Sequence, residues 1–186
     1  VEVGTVTKKC ESLNIKLLSR NAQKTIIVLN YDIVWRKPLS ELLSRASIDM
    51  IILDESHRAK SPGSKVSRFL ALLGKKARYK LCLSGTPMSH STLDIYGQYR
   101  FLDPNIFGTR YSAFLGSYAV MSMTNPPFVI GLKNQQDLMD KFNSIAYTCK
   151  MDDISDRLKL PPKLPPNVIK VQLSAKDMAL SKQLSK

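Results

Sequence analysis

The sequence predicts an α/β fold, a partial parallel sheet flanked by helices, with a helical excursion toward the C-terminus. Three observations carry that expectation. Short apolar, β-branched runs recur at residues 25–29, 48–53 and 79–83. Between them, apolar residues repeat at helical spacing. Strand and helix signals therefore alternate, which is the pattern of parallel strands joined by crossover helices.

The elements follow in order. Thr25-Ile26-Ile27-Val28-Leu29 reads as a buried strand. Pro38 suits the first turn of a helix whose face is Leu39, Leu42, Leu43 and Ala46. Ile48-Asp49-Met50-Ile51-Ile52-Leu53 is a second buried strand, ending at Asp54. Ser61-Pro62-Gly63-Ser64 is a turn, and Val66, Phe69, Leu70 and Leu73 form a helical stripe stopped by Gly74. Residues 79–83 make a third strand, ending at Ser84.

Beyond Pro87 the pattern turns helical. Ser91 and Asp94 suggest a capping box ahead of Ile95, Tyr96 and Tyr99. Residues 118–131 read as an irregular excursion, and Asn134 as the cap of a helix carrying Leu138, Met139, Phe142 and Ile145. Residues 145–149 suggest a fourth strand. The run Leu160-Pro161-Pro162-Lys163-Leu164-Pro165-Pro166 is extended linker, because consecutive prolines exclude a helix. Residues 168–173 read as a strand, and Ser174 with Asp177 as the cap of a last helix.

The chain has 186 residues, enough for one core without disulfides. No apolar run is long enough to cross a membrane. The first residues lack the charged and apolar regions of a secretory signal, and with no initiator Met the chain reads as a piece of a longer protein. Three cysteines, Cys10, Cys82 and Cys149, form no C-x-x-C pair and signal neither a disulfide framework nor a zinc site. A reducing, intracellular setting is expected: the cytoplasm of a bacterial or phage-infected cell, or a nucleus.

Net charge is +13, from 28 Lys and Arg against 15 Asp and Glu. Such a surplus points to nucleic acid; the plainer alternative is a basic, solvated surface. The charge is uneven. Residues 56–93 contain no acidic residue, yet hold Arg58, Lys60, Lys65, Arg68, Lys75, Lys76, Arg78 and Lys80. Lys65 and Arg68 fall on the outer face of a helix.

The most informative text is Leu53-Asp54-Glu55-Ser56-His57. Adjacent carboxylates at the C-terminal end of a parallel strand sit where open α/β sheets bind ligands. One carboxylate suits a hydrated Mg²⁺, and the other can orient or deprotonate a water. The bland alternative is a carboxylate pair capping the next helix. Ser84-Gly85-Thr86-Pro87, 30 positions after Asp54, also ends a strand and supplies hydroxyls that can bond a histidine or carboxylate.

Together these motifs resemble superfamily-two helicases. Asp54-Glu55-Ser56-His57 looks like their motif II, the DExH Walker B box, and Ser84-Gly85-Thr86-Pro87 like motif III. The flanking text is similar to the Snf-type ATPases: Leu29-Asn30-Tyr31-Asp32, His57-Arg58-Ala59-Lys60-Ser61, Phe101-Leu102-Asp103-Pro104, Phe107-Gly108, Leu160-Pro161-Pro162-Lys163 and Val171-Gln172-Leu173-Ser174. The resemblance implies a partial RecA-like sheet and a two-lobed parent that uses ATP and Mg²⁺ to move on DNA. It implies Asp54 as the Mg²⁺ residue, through water, and Glu55 as the general base. His57, Ser84, Gly85 and Thr86 would couple the nucleotide site to the DNA surface. Arg58, Lys60, Lys75 and Lys76 are the candidate nucleic-acid contacts, on charge alone.

The departures matter. No G-x-x-x-x-G-K-[ST] occurs anywhere, and Leu73-Gly74-Lys75-Lys76 does not supply one. Ser89 and His90 stand where the family often has Gln and Asn. The expectation is therefore residues 1–159 as a first RecA-like lobe truncated before the Walker A loop. Residues 160–186 would be a Pro-rich bridge, strand and helix start leading to a second lobe outside this chain. The isolated chain is expected to bind no cofactor and to be inactive, with an open sheet edge beside residues 79–83 that invites self-association. Two alternatives stay open: a non-enzymatic basic nucleic-acid-binding module, and a serine hydrolase using Ser84 with His57 or His90. The second lacks a G-x-S-x-G elbow. His90 reads as a surface residue, Trp35 as core, Cys82 as a small buried hydrophobe, and Tyr96, Tyr99 and Phe101 as packing.

Overall fold

The computed structural model describes residues 26–150 and 177–178. The chain divides into two compact units, Val1–Ala146 and Tyr147–Lys186. In the first unit, helices α1 (Tyr31–Val34) and α2 (Leu39–Arg45) lead into strand β1 (Met50–Leu53). A 3-10 turn, Ser56–Ala59, precedes α3 (Lys65–Gly74) and β2 (Tyr79–Cys82). A second 3-10 turn, Thr92–Asp94, opens α4 (Ile95–Leu102), followed by α5 (Pro104–Phe107) and α6 (Tyr111–Tyr118). Strands β3 (Ala119–Met121) and β4 (Val129–Leu132) then precede α7 (Gln135–Asn143).

The fold is α/β, and β1 and β2 pair in parallel through the crossover helix α3, as expected. Ile52 lies opposite Leu81, and Leu53 opposite Cys82. The ladder continues past the strands: Leu83 N–H donates to Leu53 O at 2.9 Å, and Ser56 N–H donates to Leu83 O at 2.9 Å. Those two bonds bring the ends of both strands together.

The sheet is smaller and more open than expected. Among the described residues β1 and β2 have only each other as neighbours. One face, with Leu53, packs on Val34, Leu39, Leu43, Leu70, Leu73 and Phe101. The other carries Met50, Ile52, Tyr79 and Leu81, all exposed. These strands, read as buried, are buried on one face only. Residues 26–29 form no strand: among the described residues they find no ladder partner, and Ile26 and Val28 point outward while Leu29 packs on the core.

Helix α4 is the centre of the unit. Ile95, Tyr96, Gly97, Gln98, Tyr99 and Phe101 are all buried. Phe101 joins the core beneath the parallel pair. Tyr96 and Tyr99 join a second, aromatic core with Phe107, Phe114, Tyr118 and Leu138. Its rings pack at tilted and edge-on angles, with Tyr96 to Phe114 at 4.9 Å and Tyr99 to Phe107 at 5.0 Å between centroids. Such pairs add to the apolar burial each ring contributes.

Four local expectations need correction. Residues 118–131 are a hairpin, not an irregular excursion: Ala119 pairs Leu132 and Met121 pairs Val129, with a register shift between Val120 and Met121. Gly74 does not end α3 by a left-handed turn. A Cβ there would lie 2.8 Å from the Phe101 ring, so the glycine lets α3 and α4 touch. Asn134 gives no side-chain cap to α7; its Nδ2 donates to Ser117 O at 2.8 Å. Residues 145–149 form no strand and pair with none among the described residues. The linker at 160–166, the strand at 168–173, Ser174 and the 159/160 boundary lie outside the described residues; Asp177 and Met178 are helical.

Candidate functional site

The site forms where β1 and β2 end. Leu53 is buried and anchors the strand, and the chain emerges at the exposed Asp54 and Glu55. Glu55 adopts a left-handed backbone, φ 48° and ψ 52°. For a residue with a Cβ this costs about 1–2 kcal/mol, and such residues cluster at functional sites. The turn it makes reverses the chain at once, so that Ser56 N–H meets Leu83 O.

Asp54 is held by its neighbours. Its Oδ1 accepts the Glu55 N–H at 3.1 Å, and its backbone carbonyl accepts the Tyr31 hydroxyl at 2.7 Å. Burial, with Cys82 and Asp54 nearby, pushes the Tyr31 phenol up to about 12. It therefore stays a neutral donor across the physiological range.

His57 joins the two motifs. Its Nδ1 lies 3.2 Å from Ser84 Oγ and 3.2 Å from Glu55 Oε2. A proton on Nδ1 can be shared between the hydroxyl and the carboxylate. Ser84 Oγ also accepts the Thr86 N–H at 3.1 Å, which shapes the Ser-Gly-Thr-Pro turn. The structure thus gathers Asp54, Glu55, His57, Ser84 and Thr86 at one end of the parallel pair. Gly85 is exposed there, with open space where a Cβ would stand.

A buried bridge below this surface escaped sequence reasoning. The Ser56 hydroxyl donates to Gln98 Oε1 at 2.7 Å, and Gln98 Nε2 donates to Pro87 O at 2.8 Å. Ser56 and Gln98 are 1% and 4% exposed. Gly97 makes the approach possible: a Cβ there would sit 2.3 Å from Ala59 O and 2.6 Å from Lys60 O. The available signal was a lone Gln inside Ile95-Tyr96-Gly97-Gln98-Tyr99, an otherwise apolar run.

The candidate cations separate into two places. Arg58 reaches Asp32 at 3.5 Å and lies over the Tyr31 ring. Lys60 is drawn inward, its Nζ 2.7 Å from Ser89 Oγ and 3.3 Å from Asp94 Oδ2. Burial raises the Asp94 carboxyl, but hydrogen bonds from His90 N–H, Lys60 and Ser89 outweigh it and hold the group below its usual range. Lys75 and Lys76 stand at the far end of α3, about 15 Å away along its axis, and Lys76 reaches the Ser44 carbonyl. His90 is an exposed residue. Cys82 packs against the core, and burial pushes its thiol up to about 12.

The carboxylates present suit a hydrated magnesium ion only in part. Asp54 offers an exposed carboxylate beside a second one, which fits an ion that keeps waters and substrate oxygens. Among the described residues no cluster of three or more His, Cys, Asp or Glu stands ready to enclose a metal.

The family model for the SNF2-related domain matches residues 5–185. The chain is 36% identical over 93 residues to the TATA-binding protein-associated factor BTAF1 of Arabidopsis thaliana, covering 50% of this chain and 4% of that protein. It is 26% identical over 110 residues to a DNA repair and recombination protein RAD54-like of Drosophila erecta, covering 59% and 14%. It is 31% identical over 87 residues to the ISWI chromatin-remodeling complex ATPase ISW2 of Saccharomyces cerevisiae, covering 47% and 7%. Among solved structures, the Sulfolobus solfataricus SWI2/SNF2 ATPase core in complex with dsDNA shares 27% identity, 42% of this chain, 18% of that chain and a TM-score of 0.35. The chain spans only 4% to 14% of the length of these three relatives.

Proposed function

The chain belongs to the SNF2-related domain family, and on that premise we propose that it carries motifs II and III of a DNA-dependent ATPase of the translocase type. The observation that supports this most is the 3.2 Å approach of His57 to Ser84, which joins the two motifs at the end of the parallel pair. In this reading Glu55 orients and deprotonates the water that attacks the terminal phosphate of ATP. Asp54 would hold, through water, the magnesium that accompanies the nucleotide, and that ion would offset the charge of the phosphates. His57 senses Glu55 on one side and Ser84 on the other, so a change at the nucleotide reaches the turn formed by Ser84, Gly85 and Thr86.

DNA is the proposed partner, within the cell. The net charge of +13 supports it, with Arg58 the motif-side cation and Lys75 and Lys76 a separate pair. Lys60 contributes by fixing Asp94, which leaves it less free for phosphate. Among the described residues β2 has an edge without a strand neighbour, a place for a further strand or for self-association.

The missing Walker A sequence bears on activity, because nothing else in this text supplies the phosphate-cradling loop. The isolated chain is expected to turn over no ATP, with or without DNA. Fused behind a first-lobe segment bearing a Walker A loop, it is expected to gain DNA-stimulated turnover that Glu55→Gln removes. Turnover indifferent to Glu55→Gln would overturn the assignment. Salt-sensitive DNA binding by a fusion that never hydrolyses ATP would favour the second reading, a non-enzymatic basic module.

A further inference from the structure

A second concave region lies away from the motif turns, between α2 and α3. It is a cleft of about 490 Å³ lined by Trp35, Arg45, Lys65, Arg68, Phe69 and Leu72. Leu72 is 62% exposed there, an apolar side chain with no cover. Arg45, Lys65 and Arg68 are exposed as well. The one carboxylate in the lining, Glu41, is already paired with Lys37 at 2.8 Å. The cleft therefore combines apolar side chains with a surplus of positive charge: Arg45, Lys65 and Arg68 stand against Glu41 alone, which Lys37 and Arg45 share.

We propose that this cleft binds an acidic segment of a partner protein through carboxylates and one apolar anchor side chain. Charge complementarity selects the acidic partner. Leu72 and Phe69 select the anchor, since covering exposed apolar surface favours an aliphatic or aromatic residue there. Nucleic acid fits less well. A nucleobase would need the indole face, yet Lys65 Nζ and the Arg36 guanidinium lie over the Trp35 ring at 4.7 and 5.2 Å from its centroid. Those contacts hold the cations in place and occupy the stacking surface. A sugar–phosphate backbone also brings no apolar group for Leu72.

The test uses the chain's own reporter. Trp35 is the single tryptophan and lines the cleft, so intrinsic tryptophan emission reports on it. The whole chain is titrated with a synthetic glutamate-rich peptide bearing a central phenylalanine, with its serine counterpart, and with a single-stranded DNA oligonucleotide. The phenylalanine peptide is expected to shift the emission saturably, and the serine peptide to bind about tenfold more weakly. Arg45→Glu with Arg68→Glu is expected to weaken the phenylalanine peptide by about tenfold or more. Leu72→Ser is expected to erase the preference for phenylalanine over serine. All three positions are exposed, and far-ultraviolet circular dichroism checks that each variant folds. No saturable shift, equal binding of the two peptides, or an equal shift with DNA overturns the proposal, the last assigning the cleft to nucleic acid.

Discussion

The Ser56 hydroxyl and the Gln98 carboxamide meet at 2.7 Å in the interior, and the same carboxamide holds Pro87 O at 2.8 Å. One side chain thus ties the turn after β1 to the turn after β2. Removing it leaves the buried Ser56 hydroxyl and the half-buried Pro87 carbonyl without this partner. Gln98→Ala is expected to destabilise the fold by about 1–3 kcal/mol in urea unfolding. Ser56→Ala with Gln98→Ala is expected to be non-additive by about 1 kcal/mol. Strictly additive losses would show that the bridge carries no coupling.

Two glycines should respond to alanine with opposite sign. In a helix interior Gly→Ala ordinarily stabilises, by about 0.4–1 kcal/mol. Gly116 in α6 has open space around it and should follow that rule. Gly97 in α4 should reverse it, because a Cβ would press on the backbone oxygens of Ala59 and Lys60 at 2.3 and 2.6 Å. Overpacking of this kind costs about 1–3 kcal/mol. Measured unfolding midpoints that rise for both variants would refute the close contact.

What could be read from the sequence follows a physical line. The stripes Leu39, Leu43, Ala46 and Leu70, Leu73 marked helices because each buries one face at helical period. The two motif turns were legible because each follows an apolar strand run and is built of polar, turn-forming residues. Residues 26–29 were misread, since an apolar run does not say whether a neighbouring strand exists to pair with it. The hairpin β3–β4 was hidden for the opposite reason: Val129 and Ile130 are exposed, so no burial signal marks the strand. Gln98 stood out only as a lone polar residue in an apolar run, and its role stayed hidden because Ser56 and Pro87 are distant in sequence and meet it only once α4 is in place.

Asp94 should make stability depend on pH in the acid range. Its carboxyl sits below the ordinary value of 3.8 in the fold, held there against burial by His90 N–H, Lys60 and Ser89. As pH falls the unfolded chain takes up the proton first, so stability falls with it. The contribution is complete above about pH 5. It fades as pH drops through 3.8 and below. Asp94→Asn should lower the urea midpoint at neutral pH and flatten its decline in acid. An unchanged acid profile would mean that another carboxylate governs it.

The exposed face of the parallel pair should govern association. Met50 lies opposite Tyr79 and Ile52 opposite Leu81, so the pleat gathers these four side chains on one surface. They are 47%, 52%, 54% and 38% exposed in that order, beside an edge of β2 that has no strand neighbour among the described residues. Contiguous exposed apolar surface next to free ladder groups drives pairing between chains. Sedimentation velocity of the chain should therefore show concentration-dependent self-association. Ile52→Lys with Leu81→Lys should return it to a monomer while leaving the urea midpoint nearly unchanged, since both side chains already face solvent. Added salt separates the two sources of association, because it screens charge and leaves apolar contact in place. A monomeric wild-type chain, or association that persists in the lysine variant and disappears with salt, would move the interface from this sheet to the basic surface.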